Sequence, residues 1–472
     1  MQIKLVQELT AYSFSQFRNL FGLAEAETSA LLDRLMLLNI LRKGTAENGE
    51  LSLEDLTDMD YAADANLDNP GKIYYVFRYV GIIVIGPFCF FCYPKYIKDM
   101  EADQRNGYPK FRQIISVIRK YQASNQQYRF AEEEGIREFN LLSFTLDMLQ
   151  DYQENGLYHN DKSIVENNGF GEILWEKTIN EQNVYMSEGI PLYLDFYTAN
   201  EVTDEEDIFR LMQQTIITEC CHVVGDLLRI IGVDPLYFST PPLDELGSED
   251  YLVTRVQLEM SRQFVTRNQT LLRKMLSYLN DEPLGENSQA VSLVGTSSFN
   301  LVWEEVCVQV LGDCRRKTLR RLKLKPIGKL SSYDMLKDVV PKPQWLHYAS
   351  KKTHEAPGTL IPDLITVEEG ELSIYDAKYY SIELNENGVS HQPGIADVTK
   401  QYLYEMAYRK LAEHNGITVR RNAFLFPLDD DSEKHVGEVT LALFDDINMP
   451  LNNVQVILEP CHKMFEEYLE RS

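Results

Sequence analysis

Residues 362–380 read PDLITVEEGELSIYDAKYY, and few backbones suit them. Leu364, Ile365 and Val367 form one strand, Glu368-Glu369-Gly370-Glu371 supplies a turn, and Leu372, Ile374 and Tyr375 start the return strand. A hairpin of that length brings Asp363 near Asp376. Asp376 and Lys378 lie two apart on a strand and so share a face. Two carboxylates and an ammonium on one sheet face suit metal-assisted phosphodiester hydrolysis: hard oxygen ligands hold Mg²⁺ with waters left on it, and the ammonium orients a water or offsets phosphate charge. The competing reading is a hairpin with solvated charges.

The surroundings favour the chemical reading. Upstream, residues 299–311 (FNLVWEEVCVQVL) set Val302, Val306 and Val310 on one helical face beside Trp303. Either Glu304 or Glu305 of that helix can turn inward, leaving the other as surface. Downstream, residues 397–411 (DVTKQYLYEMAYRKL) form a helix with Lys400, Gln401, Tyr404 and Tyr408 at spacings of three and four; the two tyrosines suit core packing as well as function. Between helix and hairpin lies a dense basic run, Arg315, Arg316, Lys317, Arg320, Arg321 and Lys323, continued by Lys325 and Lys329. Such clusters gain DNA affinity by counterion release. A solvated face is the plainer alternative, but the rest of the chain is acidic.

The chain has 472 residues and a net charge of −26, with 44% hydrophobic residues, enough for two or three domains with real cores. That charge argues against coating DNA over the whole surface and allows a local basic channel or a basic partner. Seven cysteines without an even framework point to a reducing cytoplasm, as does an N-terminus without a signal-peptide pattern. The apolar stretch 79–91 is too short to span a bilayer. Cys89 and Cys92 form a lone C-x-x-C that reads as buried thiols.

Taken in order, residues 1–43 look helical, with Phe14, Phe17 and Phe21 on one face, a second helix at 28–39 and a first wing strand at 40–43. That suggests a winged helix, serving DNA or docking another protein; Glu25, Glu27 and Asp33 count against phosphate contact. Residues 44–70 read as an acidic loop. Strands follow at 72–97, helices at 110–121 and 130–152, a strand-like run at 169–179, and long helices at 204–231 and 251–279. Cys220, Cys221 and His222 sit consecutively on a helix and so diverge, which makes a core position the better reading for His222. An acidic loop is expected at 242–250 and a boundary at 280–289. Strands close the chain at 419–426, 436–443 and 454–458.

Together VGIIVIG, FFCYPKYI, GEILWEKTI, the Trp303-Glu304 helix, IPDLI with YDAKYY, and the helix starting DVTKQYLYEMAY resemble the LlaJI family of restriction endonucleases over residues 72–430, and more distantly the nuclease subunit of McrBC-type systems. The Pro362-Asp363 and Asp376-Ala377-Lys378 pattern is similar to the PD-(D/E)xK nuclease superfamily. The resemblance implies an α/β fold with a C-terminal PD-(D/E)xK core, a mixed sheet flanked by helices, at 290–472. Before it come an α+β middle domain at 71–289, for partner docking or DNA recognition, and a small helical or winged-helix-like module with linker at 1–70. It implies a Mg²⁺-dependent defence endonuclease that cuts double-stranded DNA, acts on neither membrane nor small-molecule substrate, and couples to a McrB-like AAA+ GTPase partner. GTP would act only through that partner, since this chain has no G-x-x-x-x-G-K-[ST] loop. Carried over, Asp363 and Asp376 bind Mg²⁺ with Glu304 as a third ligand, Lys378 positions the attacking water, and Gln401 supports the site. A RecB-like nuclease acting alone is the first alternative, although Gln401 plus four is Glu405 and Tyr404 stands at plus three. A non-catalytic adaptor on an AAA+ ring is the second.

Overall fold

The computed structural model describes residues 2–47, 50–53, 73–85, 88–126, 140–203, 206–281, 291–386, 388–444 and 451–471. It is a mixed α/β structure with several sheets. The chain forms two compact units, one joining Met1–Gly135 to Leu293–Ser472 and the other comprising Ile136–Ser292. Residues 73–126 and the N-terminal strands thus fall in the same unit as the C-terminal part of the chain.

At the centre of the first unit is a five-stranded mixed sheet, in the order Leu364–Glu368, Glu371–Ala377, Thr418–Leu428, Val454–Pro460, Lys434–Val439. The first pair is antiparallel, the next two pairings are parallel, and the last is antiparallel. A parallel step needs a crossover, and the helix Ile395–Asn415 supplies it between Glu371–Ala377 and Thr418–Leu428. The central strand ends AFLFPL, a continuous apolar run buried throughout, as a strand covered on both faces requires. On one side Ile365, Leu372 and Ile374 pack with Tyr404, Tyr408 and Leu411 of the crossover helix. Against the other side lie the helices Phe299–Leu311 and Cys461–Glu470, and the Trp303 indole donates to the Leu425 carbonyl at 3.4 Å.

Two further sheets, of four strands each, belong to this unit. In one, the strand Gln2–Gln7 pairs in parallel with Phe88–Tyr93, which pairs with Val80–Ile85. The N-terminus is thus not wholly helical: QIKLVQ adds a strand to the edge of an apolar sheet, where alternation matters less than burial. The other sheet has the order Ala11–Ser13, Ile73–Phe77, Leu41–Glu47, Glu50–Leu53 and carries the helices Phe14–Phe21 and Glu25–Leu37. Phe17 and Phe21 stack at 5.4 Å and are buried, and Gly22 caps the first helix in the left-handed conformation. Part of the expected 44–70 loop is therefore strand, and 54–72 lies outside the described residues.

The second unit has the helix Ile208–Ile230, close to the expected 204–231. The single helix expected at 251–279 is two, Glu249–Arg262 and Thr266–Asp281, broken at Gln263, whose backbone is extended. The strand-like 169–179 holds a two-residue strand, Glu172–Ile173, and then enters the helix Trp175–Glu181, and the acidic loop at 242–250 contains a short helix, Leu243–Leu246. Of the helix expected at 130–152, residues 130–139 lie outside the described residues; Leu141–Asn155 is helical. His222 is exposed and rests on the Tyr237 ring at 4.9 Å; it lies on the outward side of the helix whose inward side holds buried Cys220 and Cys221. All seven cysteines are buried free thiols. No described helix is long and apolar enough to cross a membrane.

Candidate active site

The hairpin register builds the site. Leu364 pairs with Tyr375 and Glu368 with Glu371, which leaves Glu369-Gly370 as the turn. Their φ angles of 48° and 83° put both in the left-handed region, as the right-handed twist of a two-residue hairpin demands. One step past the Leu364–Tyr375 pair, Asp363 stands across from Asp376. The Ala377 amide donates to Asp363 Oδ2 at 3.2 Å, and the Asp376 carboxyl lies close enough to act on the charge of Asp363. Lys378 Nζ lies 3.0 Å from Asp376 Oδ2 and 3.0 Å from Asp397 Oδ1. Asp397 stands in no catalytic motif of the sequence. It occupies the first turn of the crossover helix, where unpaired amides favour an acid.

Charge is crowded here. Burial raises the Asp363 carboxyl well above the usual range, with Asp376 and then Glu304 adding to the effect and Lys378 opposing it. Burial works against the Lys378 charge, yet Asp376 and Asp397 more than offset it, so its ammonium titrates above its ordinary range. Glu304 is also raised, first by burial; Asp376 and Glu305 push the same way, and Arg315 and Lys378 oppose them. Glu304 thus lies within electrostatic reach of the hairpin acids, whereas Glu305 accepts from Gln309 Nε2 at 2.8 Å. Among the described residues no three His, Cys, Asp or Glu side chains are gathered tightly enough to cage a metal ion. Asp363 and Asp376 are brought together, and Glu304 stays outside a three-carboxylate cage. The pair nevertheless suits a hard divalent cation: its donors are carboxylate oxygens, and two acids stand beside one lysine that is itself shared with Asp397.

Supporting groups ring the site. Tyr404 Oη donates to the Ile361 carbonyl at 3.2 Å, and its phenol is pushed up to about 12 by burial, then by Asp376 and Asp363. Tyr408 Oη donates to the Leu336 carbonyl at 3.2 Å. Gln401 is fully buried; its Nε2 donates to the Ala423 carbonyl at 3.0 Å, and its Oε1 accepts no hydrogen bond among the described residues. Glu405, also fully buried, accepts from Asn422 Nδ2 at 3.0 Å, the Asn452 amide at 2.9 Å and Arg409, locking the helix to the sheet. Past Lys378, Tyr379 Oη donates to Glu8 Oε2 at 2.6 Å beneath the Lys95 ammonium, 4.5 Å from the ring centroid. The N-terminal strand region thereby grips the end of the site strand.

The basic run divides in two. Arg315 is turned inward: its Nε donates to Asp313 Oδ2 at 2.9 Å and its guanidinium to the Pro362 carbonyl at 2.8 Å, so it braces the entry to the hairpin instead of facing solvent. Lys317 Nζ lies 3.3 Å from Cys314 Sγ. Arg316, Arg320, Arg321 and Lys323 are exposed, with the Arg320 guanidinium against the Tyr333 ring.

A family model described as LlaJI restriction endonuclease matches residues 79–458. The type II restriction enzyme BsuMI component YdjA of Bacillus subtilis (strain 168) is 27% identical over 415 residues, covering 85% of this chain and 82% of that protein. Among solved structures, a half-complex of Thermococcus gammatolerans McrB AAA+ hexamers with bound McrC aligns over 99% of this chain and 98% of the matched chain, at 12% identity and a TM-score of 0.38, too low to bear on fold or partner. The family match extends over most of the chain, including the hairpin, the helices Phe299–Leu311 and Ile395–Asn415, and the central sheet up to residue 458, and the chain belongs to the LlaJI restriction endonuclease family.

Proposed function

We propose that this chain is the Mg²⁺-dependent nuclease component of a restriction system, hydrolysing phosphodiester bonds of double-stranded DNA through a PD-(D/E)xK-type site on the 364–377 hairpin. The observation that carries this is the Asp363–Asp376 pair with Lys378 at its flank, inside a chain of a restriction endonuclease family. Asp363 and Asp376 would hold the ion, with Glu304 contributing negative potential beside them. The ion supplies polarisation of the phosphate. Lys378, oriented by Asp376 and Asp397, donates to the attacking water and sets its approach to phosphorus. The water oxygen bonds to phosphorus as the P–O3′ bond breaks, and the proton that the water gives up ends on the leaving 3′-oxygen, which leaves a 5′-phosphate and a 3′-hydroxyl. Gln401 and Glu405 keep the crossover helix seated on the sheet. Arg316, Arg320, Arg321 and Lys323 track the backbone of the duplex.

The partner is a GTP-hydrolysing AAA+ protein of McrB type, in keeping with the family resemblance and with the missing phosphate-binding loop in this chain. The test is cleavage of a duplex plasmid by the purified chain with Mg²⁺ or EDTA, with and without the AAA+ protein encoded beside it and GTP. Cutting in the complete mixture alone supports the proposal. Cutting of DNA ends by the chain alone favours the free-standing nuclease, and no cutting in any mixture favours the adaptor.

A further inference from the structure

Between the basic run and Asp363 the chain throws out a ribbon, Gln344–His347 paired antiparallel with Lys352–Glu355. It is a two-stranded sheet of its own, and every residue in both strands is exposed. Its base is closed by the Ala356 amide on the Pro343 carbonyl at 2.8 Å and Thr359 Oγ1 on the Pro341 carbonyl at 2.9 Å. Asp363 follows eight positions after Glu355. A lone two-stranded ribbon gains little from folding in water. This one nonetheless holds Trp345 at 69% exposure and Tyr348 at 80%.

The two faces differ. Trp345 pairs with His354 and His347 with Lys352, so one face carries an indole, two imidazoles and an ammonium, and no acid. On the other face Gln344 pairs with Glu355 and Leu346 with Thr353, and the Glu355 carboxylate is engaged by Gln344 Nε2 at 2.9 Å and lies 3.8 Å from Lys342 Nζ. At the turn the Lys351 ammonium lies 5.9 Å from the Tyr348 ring centroid. In a chain of net charge −26 a cationic, aromatic projection leading into Asp363 is complementary to a polyanion with stacked bases. A DNA major groove admits a two-stranded ribbon, and lysines at its tip reach the flanking phosphates.

We propose that this ribbon enters a groove of the DNA duplex, with the Trp345, His347, Lys352 and His354 face toward the base edges and Lys351 on the phosphates. The proposal rests on the DNA-cleaving reading given above and adds the element that grips the duplex beside the site. The test is fluorescence anisotropy of a labelled duplex with the full chain in EDTA over a salt series, for the wild type, the double variant Lys351→Glu/Lys352→Glu, and Trp345→Ala. The charge reversal is expected to weaken binding by at least about tenfold and to reduce the steepness of the salt dependence by about one, for the phosphate contact of Lys351. Trp345→Ala is expected to weaken binding several-fold at an unchanged salt slope, because it removes contact but no charge. Wild-type affinity and slope in both variants, with the wild type binding and cutting DNA, would overturn the ribbon's role, leave the nuclease reading intact and assign the ribbon to a protein partner. A wild type that neither binds nor cuts duplex DNA, alone or with its AAA+ partner, would overturn both.

Discussion

Lys378 sits between two acids, and only one of them was legible in the sequence. Asp376 and Lys378 stand out as D-x-K on a strand, where a spacing of two fixes a shared face. Asp397 lies 19 positions beyond Lys378 and looked like any acid at a helix start; only the crossover brings it to 3.0 Å from the ammonium. Asp397→Asn should therefore lower the single-turnover cleavage rate by roughly 10- to 100-fold with little change in DNA affinity, because the lysine loses its orientation while the duplex contacts remain. Equal losses in rate and affinity would assign Asp397 to DNA binding instead. Glu459 offers a pH test away from the site. Burial, then Glu433, raises its carboxyl to about 7, against Arg421. A folded-state value above the unfolded one means stability present below pH 4.5 and lost as pH rises toward 7, on the order of 3 kcal/mol. Glu459→Gln should flatten that part of the stability profile, so urea midpoints of variant and wild type should diverge above pH 7 and converge near pH 4.5.

The hairpin could be read from sequence because three independent signals agree: two apolar runs, a polar turn and a glycine. Its weak point is also visible. Glu369 adopts φ 48° with a side chain that does not favour it. Glu369→Asn should raise stability by about 0.5–1 kcal/mol in urea unfolding, since asparagine tolerates the left-handed region; a loss of stability would mean that the carboxylate itself matters at the turn. The strand Gln2–Gln7 and the ribbon at 344–355 escaped the reading for opposite reasons. The strand is too mixed in polarity to announce itself, and its partner lies some 80 residues away in Phe88–Tyr93. The ribbon's exposed aromatics break the pattern of an ordinary surface loop, and no core contact fixes their period.

Across the whole molecule, sequence order misleads because the N-terminal strands join a unit completed only after residue 293. Composition could not show this; it did locate the basic run within the acidic chain. Exposed Arg320 and Arg321 should carry much of the non-specific DNA affinity, so reversing both to Glu should weaken duplex binding about tenfold or more and flatten its salt dependence. Binding unchanged across a salt series would make the run a solvated face. The hairpin acids carry the proposed chemistry, and the most direct measurement is duplex cleavage by Asp376→Ala in the presence of Mg²⁺ and the proposed AAA+ partner with GTP. Cleavage should fall by at least about a thousandfold, while circular dichroism, the thermal midpoint and assembly with the partner stay close to wild type. Cutting at the wild-type rate would contradict the account and place the chemistry elsewhere in the chain.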